Sequence, residues 1–434
     1  MAEKPTQGET ARWRALAPLR TPAYRPLIGS VALSLCASGM WAVVLVFQVI
    51  EISDSALALS AVAPGLTAGM FVFALAGGVA ADRLSKRALL IAVQALNTAV
   101  TLVVTLLAFT GHIRLWHLAV ASVLLGAAMA FYYPAYTAYL PSILRERDLL
   151  AANGLEGALR PALQQAGGPA LAGFVVGAFL PATGALIVTA LYAVAFALIL
   201  FLPKEALTAK PTGDDGQKPD SPGKSGFTGV LTELREAVAF TVQTAWLLWT
   251  LLFACLTVMV VMGPVGVLLP FLARDAFTNG ERAYGLLLTA FGVGAVIGSL
   301  AVSSWRLPRR YLTTMLLGWG FGNAPIAVLG YTDSFWLMAT ALFIAGLTDG
   351  AAMVIWGTLL QRRVPPNLLG RVASLDFFVS LAFLPLSIAL TGPLSHLIPT
   401  PTIFLAAGLL PPLFALTALL AGNLPKNEST HPLT

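Results

Sequence analysis

The fold class predicted for this chain is an all-α membrane protein of twelve transmembrane helices arranged as two pseudo-symmetric six-helix bundles. Three observations predict it: apolar runs of about 20 residues, the length that crosses ~30 Å of hydrocarbon; basic residues confined to alternate loops; and motifs that return in the second half. The composition agrees, with 57% hydrophobic and 11% charged residues against roughly 45–50% and 25% in an ordinary soluble domain. A soluble fold cannot hide that much apolar surface.

Residues 1–26 form a polar amino-terminal tail carrying Pro5, Pro18, Pro22 and Pro26, and no cleavable signal peptide is expected. The first bundle occupies 27–202, with spans near 27–50, 57–80, 89–110, 115–139, 155–180 and 183–202. The second occupies 246–422, with spans near 246–271, 284–304, 312–330, 335–360, 373–398 and 402–422. Helices are the expected spanning element, because the runs lack the dyad alternation of a membrane barrel. Between the bundles lies a linker, 203–245. Its first part, 203–228, is too rich in Pro, Gly, Lys and Asp to bury a core. Its second part repeats Val230, Leu234, Val238 and Val242 at helical spacing, which predicts an amphipathic helix on the membrane surface. Residues 423–434 form a second tail.

Even numbering of the spans puts both termini on one side. With that side cytoplasmic, 22 of the 26 basic residues lie in cytoplasmic segments and only Arg114, Arg274 and Arg282 in the opposite loops. This is the positive-inside pattern, and it replaces a nucleic-acid reading of the +6 formal charge, since the basic residues do not gather on one face. Cys36 and Cys255 sit inside spans and suggest neither a disulfide nor a metal site. The halves echo one another. Arg83-Leu84-Ser85-Lys86-Arg87 returns as Arg306-Leu307-Pro308-Arg309-Arg310, Gly168-Pro169 as Gly392-Pro393, and Asp148-Leu149-Leu150 as Asn367-Leu368-Leu369, at offsets of 223, 224 and 219. Near-equal offsets argue for a duplicated six-helix unit, the construction from which many carriers build alternating access.

The loop after span 2 reads Gly78-Val79-Ala80-Ala81-Asp82-Arg83-Leu84-Ser85-Lys86-Arg87 and resembles the G-x-x-x-D-R-x-G-R-R/K signature of the major facilitator superfamily, with serine in place of the second glycine. Ser55-Ala56-Leu57-Ala58-Leu59, the stretch from Asn153 to Gly173, and Gln361-Arg362-Arg363-Val364-Pro365 leading to Gly370-Arg371-Val372 extend the resemblance over nearly the whole chain, toward the branch of macrolide-efflux and enterobactin-exporter proteins. That branch implies a secondary-active exporter of a small amphiphilic molecule in the bacterial cytoplasmic (inner) membrane. Gly168-Pro169-Ala170-Leu171-Ala172-Gly173 matches the exporters' fifth-span motif in part, and the fourth-span arginine of many proton-coupled members is missing between His117 and Gly126.

The resemblance gives roles to particular residues. Asp82 is expected to lean on the amino terminus of span 11 just after Arg371, where the helix dipole favours an anion, so that Gly78, Asp82, Arg83, Lys86, Arg87 and Arg371 hold the cytoplasmic side closed. Gly168-Pro169 lets span 5 flex, since proline removes an internal hydrogen bond. Spans 1, 4, 7 and 10 should line the central cavity with Met40, Trp41, Gln48, Met129, Tyr132, Tyr133, Tyr136, Met259, Met262, Met353 and Trp356, flexible and aromatic side chains that suit varied amphiphiles.

Two charges inside spans stand out on physical grounds alone. Asp349 lies near the middle of span 10, where a carboxylate costs about 2.5–3.5 kcal/mol and must face protein or a watery cavity. It either carries protons for coupling or ties neighbouring helices together. Arg160 follows Glu156 at the i, i+4 spacing that permits pairing; it either binds an anionic substrate, helps a gate, or neutralises Glu156.

A nucleotide-driven pump is excluded by the absence of G-x-x-x-x-G-K-[ST], and no cofactor is expected. His112, His117, His396 and His431 lie at span ends or tails without a catalytic partner, against a membrane enzyme. The expected partners are a small-molecule substrate, protons and the lipid bilayer, for a monomer that binds no nucleic acid. The competing readings are a proton-coupled importer of a nutrient or metal complex and, more remotely, a membrane sensor or scaffold that transports nothing.

Overall fold

The computed structural model describes residues 17–203, 235–236, 238–304 and 308–430, with some side chains inside those helices left out of the description. Ten of its helices are long and apolar enough to cross a bilayer. They are span 1 (Tyr24–Ile52), span 2 (the helices Ala56–Val62 and Pro64–Arg83), span 3 (Lys86–Phe109), span 4 (Leu115–Ile143), span 6 (Pro181–Leu200), span 7 (Ala245–Ala276), span 8 (Gly280–Ser304), span 9 (Tyr311–Gly330), span 10 (Phe335–Arg363) and span 12 (Thr400–Ala421). The helical run from Glu146 to Ala178 and the helix Pro366–Leu397 stand where spans 5 and 11 are expected, which is consistent with twelve. The amphipathic helix expected after the linker falls mostly outside the described residues; 238–243 are helical there, with Val238 and Val242 exposed.

Local chemistry sets the ends. Ser55 accepts from the Leu57 amide and Ser85 from the Ala88 amide, capping spans 2 and 3. Pro181 and Pro366 sit in first turns, where a missing N–H costs nothing.

The two halves repeat one packing scheme. Span 1 packs on 5 and 6, 2 on 4, and 3 on 6; correspondingly 7 packs on 11 and 12, 8 on 10, and 9 on 12. Glycines close the tightest of these seams in both halves: Gly69, Gly77 and Gly126 between spans 2 and 4, Gly294, Gly298, Gly346 and Gly350 between spans 8 and 10.

The halves meet toward the end of the molecule away from the chain termini. There Asp54, after span 1, pairs with Arg274 at the end of span 7. Arg282 lies over the Phe174 ring at 4.1 Å, and Phe47 meets Tyr284 edge-on with centroids 5.9 Å apart. Span 5 runs against span 8 so closely that a Cβ on Gly173 would stand 3.0 Å from the Glu281 carbonyl. Span 2 meets span 11 at Ser60 and Gly392. Toward the terminal face, Gly154, Gly157 and Gly357 have open space over them.

Two spans contain a π-helical stretch, and span 9 ends in a 3-10 helix over Ala324–Gly330. Span 5 widens to a π-helix over Arg160–Gly167, containing Pro161, and span 7 does so over Pro264–Leu268. In each a proline deletes a donor and the backbone re-spaces around it. The neighbouring helix satisfies part of the loss in span 7, since Ser387 of span 11 accepts from the Gly263 amide at 2.8 Å and donates to the Met259 carbonyl at 2.7 Å. In span 5 the π-helical stretch runs directly into Gly168-Pro169, at the start of the α-helical stretch Gly168–Ala178.

The segment expected as a plain carboxyl-terminal tail is, over Leu424–Thr430, a short docked helix. Its Glu428, 2% exposed, accepts from the Leu312 and Thr313 amides at 2.9 and 3.2 Å and from the Thr313 hydroxyl at 2.6 Å. It thereby satisfies the orphan donors at the start of span 9. Arg363, at the end of span 10, donates to Asn427 at 2.7 Å and covers the Trp246 ring at 4.7 Å.

Candidate functional site

Inside the first bundle, all six spans line a cleft of about 620 Å³, counting its open mouth. Its polar lining comes from residues that would be costly to leave in hydrocarbon: Ser34 and Ser38 of span 1, Gln94 and Asn97 of span 3, and Glu156, Arg160 and Gln164 of span 5. Trp41, Tyr132 and Tyr192 add aromatic walls.

The lining is partly self-satisfied. Gln94 donates to Ser34 at 2.7 Å and Ser30 at 3.3 Å, and Gln164 donates to Ser38 at 3.1 Å. Arg160 and Glu156 form the expected ion pair at 2.8 Å, one helical turn apart. Tyr132 and Tyr136 stack with ring centroids 6.0 Å apart; the Tyr136 hydroxyl faces Glu156 without closing a hydrogen bond. Three buried polar atoms of the lining residues have no protein partner: Trp41 Nε1, Gln94 Oε1 and the Tyr132 hydroxyl.

Met129, Tyr132 and Arg160 also line a second cleft, completed by Met70, Ala74, Ala130, Tyr133 and Pro134. The two clefts therefore share a wall.

Of the residues expected at the site, Trp41, Met129, Tyr132, Glu156 and Arg160 come together in the first cleft with Tyr136 beside them, and Tyr133 lines the second. The others are elsewhere. Gln48 donates to Glu51 at 2.9 Å, near the sealed end of span 1. Met259 lines a mainly apolar cleft between spans 7, 11 and 12. Met353 is half exposed on span 10, while Trp356, instead of standing free in a cavity, is buried and donates its indole N–H to Asp376 at 3.0 Å. Asp349 occupies the middle of the helix Phe335–Arg363, partly buried with the Trp319 indole facing its carboxyl group, and joins none of the described ion pairs.

Of the expected gate, the backbone at Gly78, Asp82 and Arg371 is helical, but the side chains at 82 and 371 lie outside the described residues. Arg83 is exposed and Lys86 opens span 3. Arg87 donates to the Leu202 and Leu200 carbonyls at 2.8 and 3.0 Å, tying span 3 to the end of span 6 within one bundle. Gly168 is pressed against the Cys36 carbonyl and Gly39 of span 1, and the Pro169 carbonyl abuts Gly285 of span 8.

Sequence reading missed Gln94, Asn97, Gln164 and Asp376. The signal was present: Gln94 and Asn97 are three apart within an apolar span, Gln164 follows Arg160 by four, and Asp376 is a lone acid inside span 11. An uncharged amide in a membrane helix is easily passed over, although its unmet hydrogen bonds also call for a partner.

Two equivalent bundles of apolar helices, joined by seams between spans 2 and 11 and between spans 5 and 8 and carrying a cleft with polar side chains in its lining, define a carrier of the major facilitator type. The chain belongs to the transmembrane secretion effector family of that superfamily, whose profile matches residues 13–432. It is 25% identical over 381 residues to macrolide efflux protein A of Streptococcus pyogenes, covering 83% of this chain and 86% of that protein. It is 28% identical over 401 residues to the multidrug efflux pump Tap of Mycobacterium bovis, covering 90% and 91%. Among solved structures, a point mutant of the nucleoside transporter NupG is similar with a TM-score of 0.69 at 13% identity, covering 92% of this chain and 98% of that one. An inward-facing bacterial homologue of the iron transporter ferroportin gives 0.65 at 18%, covering 91% and 98%. These structures support the fold; their cargoes belong to them.

Proposed function

We propose that the protein is a secondary-active exporter of a small amphiphilic molecule, of drug or siderophore type, working as a monomer by alternating access and driven by protons moving the opposite way. It sits in the bacterial cytoplasmic membrane with both termini inside. The observation that carries this reading is the pair of adjoining clefts in the first bundle, which share Met129, Tyr132 and Arg160: mostly apolar walls interrupted by polar side chains suit a molecule with a polar head and an apolar body. The seam held by Asp54–Arg274 and Arg282–Phe174 closes the outer face in this reading, and the absence of neighbours over Gly154, Gly157 and Gly357 favours a cytoplasmic opening. The efflux proteins among its relatives favour the outward direction.

Asp349 is the proton carrier in this reading. It is the central acid of span 10, and no described basic group holds it in the ionised form. Asp82 against the start of span 11 after Arg371 closes the cytoplasmic face in the opposite state; a contact of up to ~2 kcal/mol biases a conformation and still breaks each cycle.

The test is transport in proteoliposomes with an imposed proton gradient. Substrate movement against its own gradient is expected when protons can run down theirs, and indifference to the proton gradient would sink antiport. Substrate accumulation in intact cells, in place of protection from it, would reverse the direction.

A further inference from the structure

Arg160 lines both clefts of the first bundle, and among the described residues it is the only charged group on the second, whose remaining walls come from spans 2 and 4. It stands near the middle of the helical run Glu146–Ala178, at the point where the π-helical stretch Arg160–Gly167 begins. A charge at such depth in a membrane helix is expensive and marks a place where something is bound or passed. Widened helical turns gather at the same kind of place.

The hydrogen bonding of this guanidinium is incomplete. It carries five N–H donors in a planar fork, and among the described residues it makes one contact, from Nη2 to Glu156 Oε1 at 2.8 Å. Nε and Nη1 have no acceptor, yet neither is sealed from open space as Nη1 of Arg363 is. The Arg160 side chain is 36% exposed against 12% for that of Glu156, so the clefts are offered the cation ahead of its partner. The Tyr133 ring, with its centroid 5.9 Å from the guanidinium carbon, steadies the fork without occupying a donor.

These features set the sign of the guest. Glu156 lines the first cleft and not the second, so a molecule in the second meets the guanidinium with no acid beside it. An oxyanion there gains charge-assisted hydrogen bonds, whereas an ammonium meets only like charge. The guanidinium then stands between two carboxylates, one from its own helix and one from the guest. A dianion would leave further charge uncompensated in a poorly solvated place. The cleft measures about 1030 Å³, counting its open mouth, and Met70, Met129 and Tyr133 give it an adaptable apolar surface.

We propose that the second cleft binds a monoanionic amphiphile, with its carboxylate on the unoccupied donors of Arg160 and its apolar body along Met70, Met129 and Tyr133. The assignment deepens the carrier reading, on which it rests, by giving the polar head of the substrate a negative charge.

The experiment measures binding, not transport. Purified full-length protein in phosphatidylcholine nanodiscs is titrated calorimetrically, with empty discs subtracted, using 4-butylbenzoate, the neutral 4-butylbenzamide and 4-butylbenzylammonium. The benzoate is expected to bind at least about tenfold tighter than the amide, the worth of a hydrogen bond to a charged group. Arg160→Gln is expected to erase most of that advantage. The double variant Glu156→Gln with Arg160→Gln, which leaves no unpaired charge in the bundle, decides the matter should the single one fail to fold, and it too is expected to lose the preference. Equal affinity for benzoate and amide, no binding of either, tighter binding of the ammonium, or a preference untouched in the double variant overturns the assignment. So does displacement of the benzoate by phosphatidylglycerol added to the discs, which would give the cleft to a lipid headgroup. Anion preference in a protein that moves nothing across vesicles refutes the export reading and leaves this site standing; export without anion preference does the reverse.

Discussion

Alanine at Gly285 would place a methyl group 2.5 Å from the Pro169 carbonyl oxygen and 2.8 Å from the Gly173 Cα, across the seam between spans 5 and 8. Non-bonded carbon atoms rest at about 3.5–4.0 Å, so the helices must part by roughly 1 Å at that level. The atoms in the way are backbone, and no rotamer change relieves the clash. Overpacking of this kind costs ~1–3 kcal/mol. The strain exists only while the outer seam is shut, so it shifts the balance between sealed and open outer faces by about 5- to 150-fold. Spin labels at Phe179 and Asn279, on opposite sides of that seam, report it by double electron–electron resonance in a background lacking Cys36 and Cys255. The parent protein is expected to show the short distance predominantly, and Gly285→Ala a longer one. Gly357→Ala, whose methyl group meets open space, is the control and should leave the distribution alone. A Gly285→Ala distribution identical to that of the parent would show that the seam yields without cost, and the reasoning fails.

Other perturbations separate structure from coupling. Asp349→Asn is expected to express normally and to lose the dependence of transport on an imposed proton gradient; equal transport by both proteins across pH would refute the proton role. Glu428→Ala removes the acceptor for two amides and a hydroxyl at the start of span 9 and should cost about 1–2 kcal/mol, read as a lower melting temperature, whereas an unchanged value would mean that water replaces the cap. Arg87→Leu frees the Leu200 and Leu202 carbonyls and should speed proteolysis just after span 6 without moving the labels across the outer seam. Arg274→Gln breaks a half-exposed pair worth at most ~1 kcal/mol, so its effect on those labels should be small and should vanish in high salt.

The membrane class was legible because hydrocarbon imposes one length and one polarity on every span, and the duplication because the loop motifs survive at near-equal offsets. The pairing of Arg160 with Glu156 was legible from spacing within a single helix. What escaped depended on how helices rotate against one another. Gln94, Asn97 and Gln164 are unremarkable until spans 1, 3 and 5 turn them into a common space. Trp356 looks like a cavity aromatic until Asp376, twenty residues on, is seen to take its N–H. The π-helical stretches were equally hidden, for Pro161 and Pro264 announce a missing donor but not how the chain absorbs it. The docking of Leu424–Thr430 is not legible in so short and polar a segment; its order comes from span 9, which needs the Glu428 carboxylate.

Because span 7 borrows Ser387 from span 11 to complete its own hydrogen bonding at Pro264, the two helices are coupled at that depth as firmly as a strut to its brace. Any bending of span 7 there must carry span 11 along or surrender both bonds at once, and span 11 in turn abuts span 2 of the opposite bundle at Gly392 and Ser60. Movement at one proline is therefore passed on through the frame of the molecule and does not stay a private kink in a single rod.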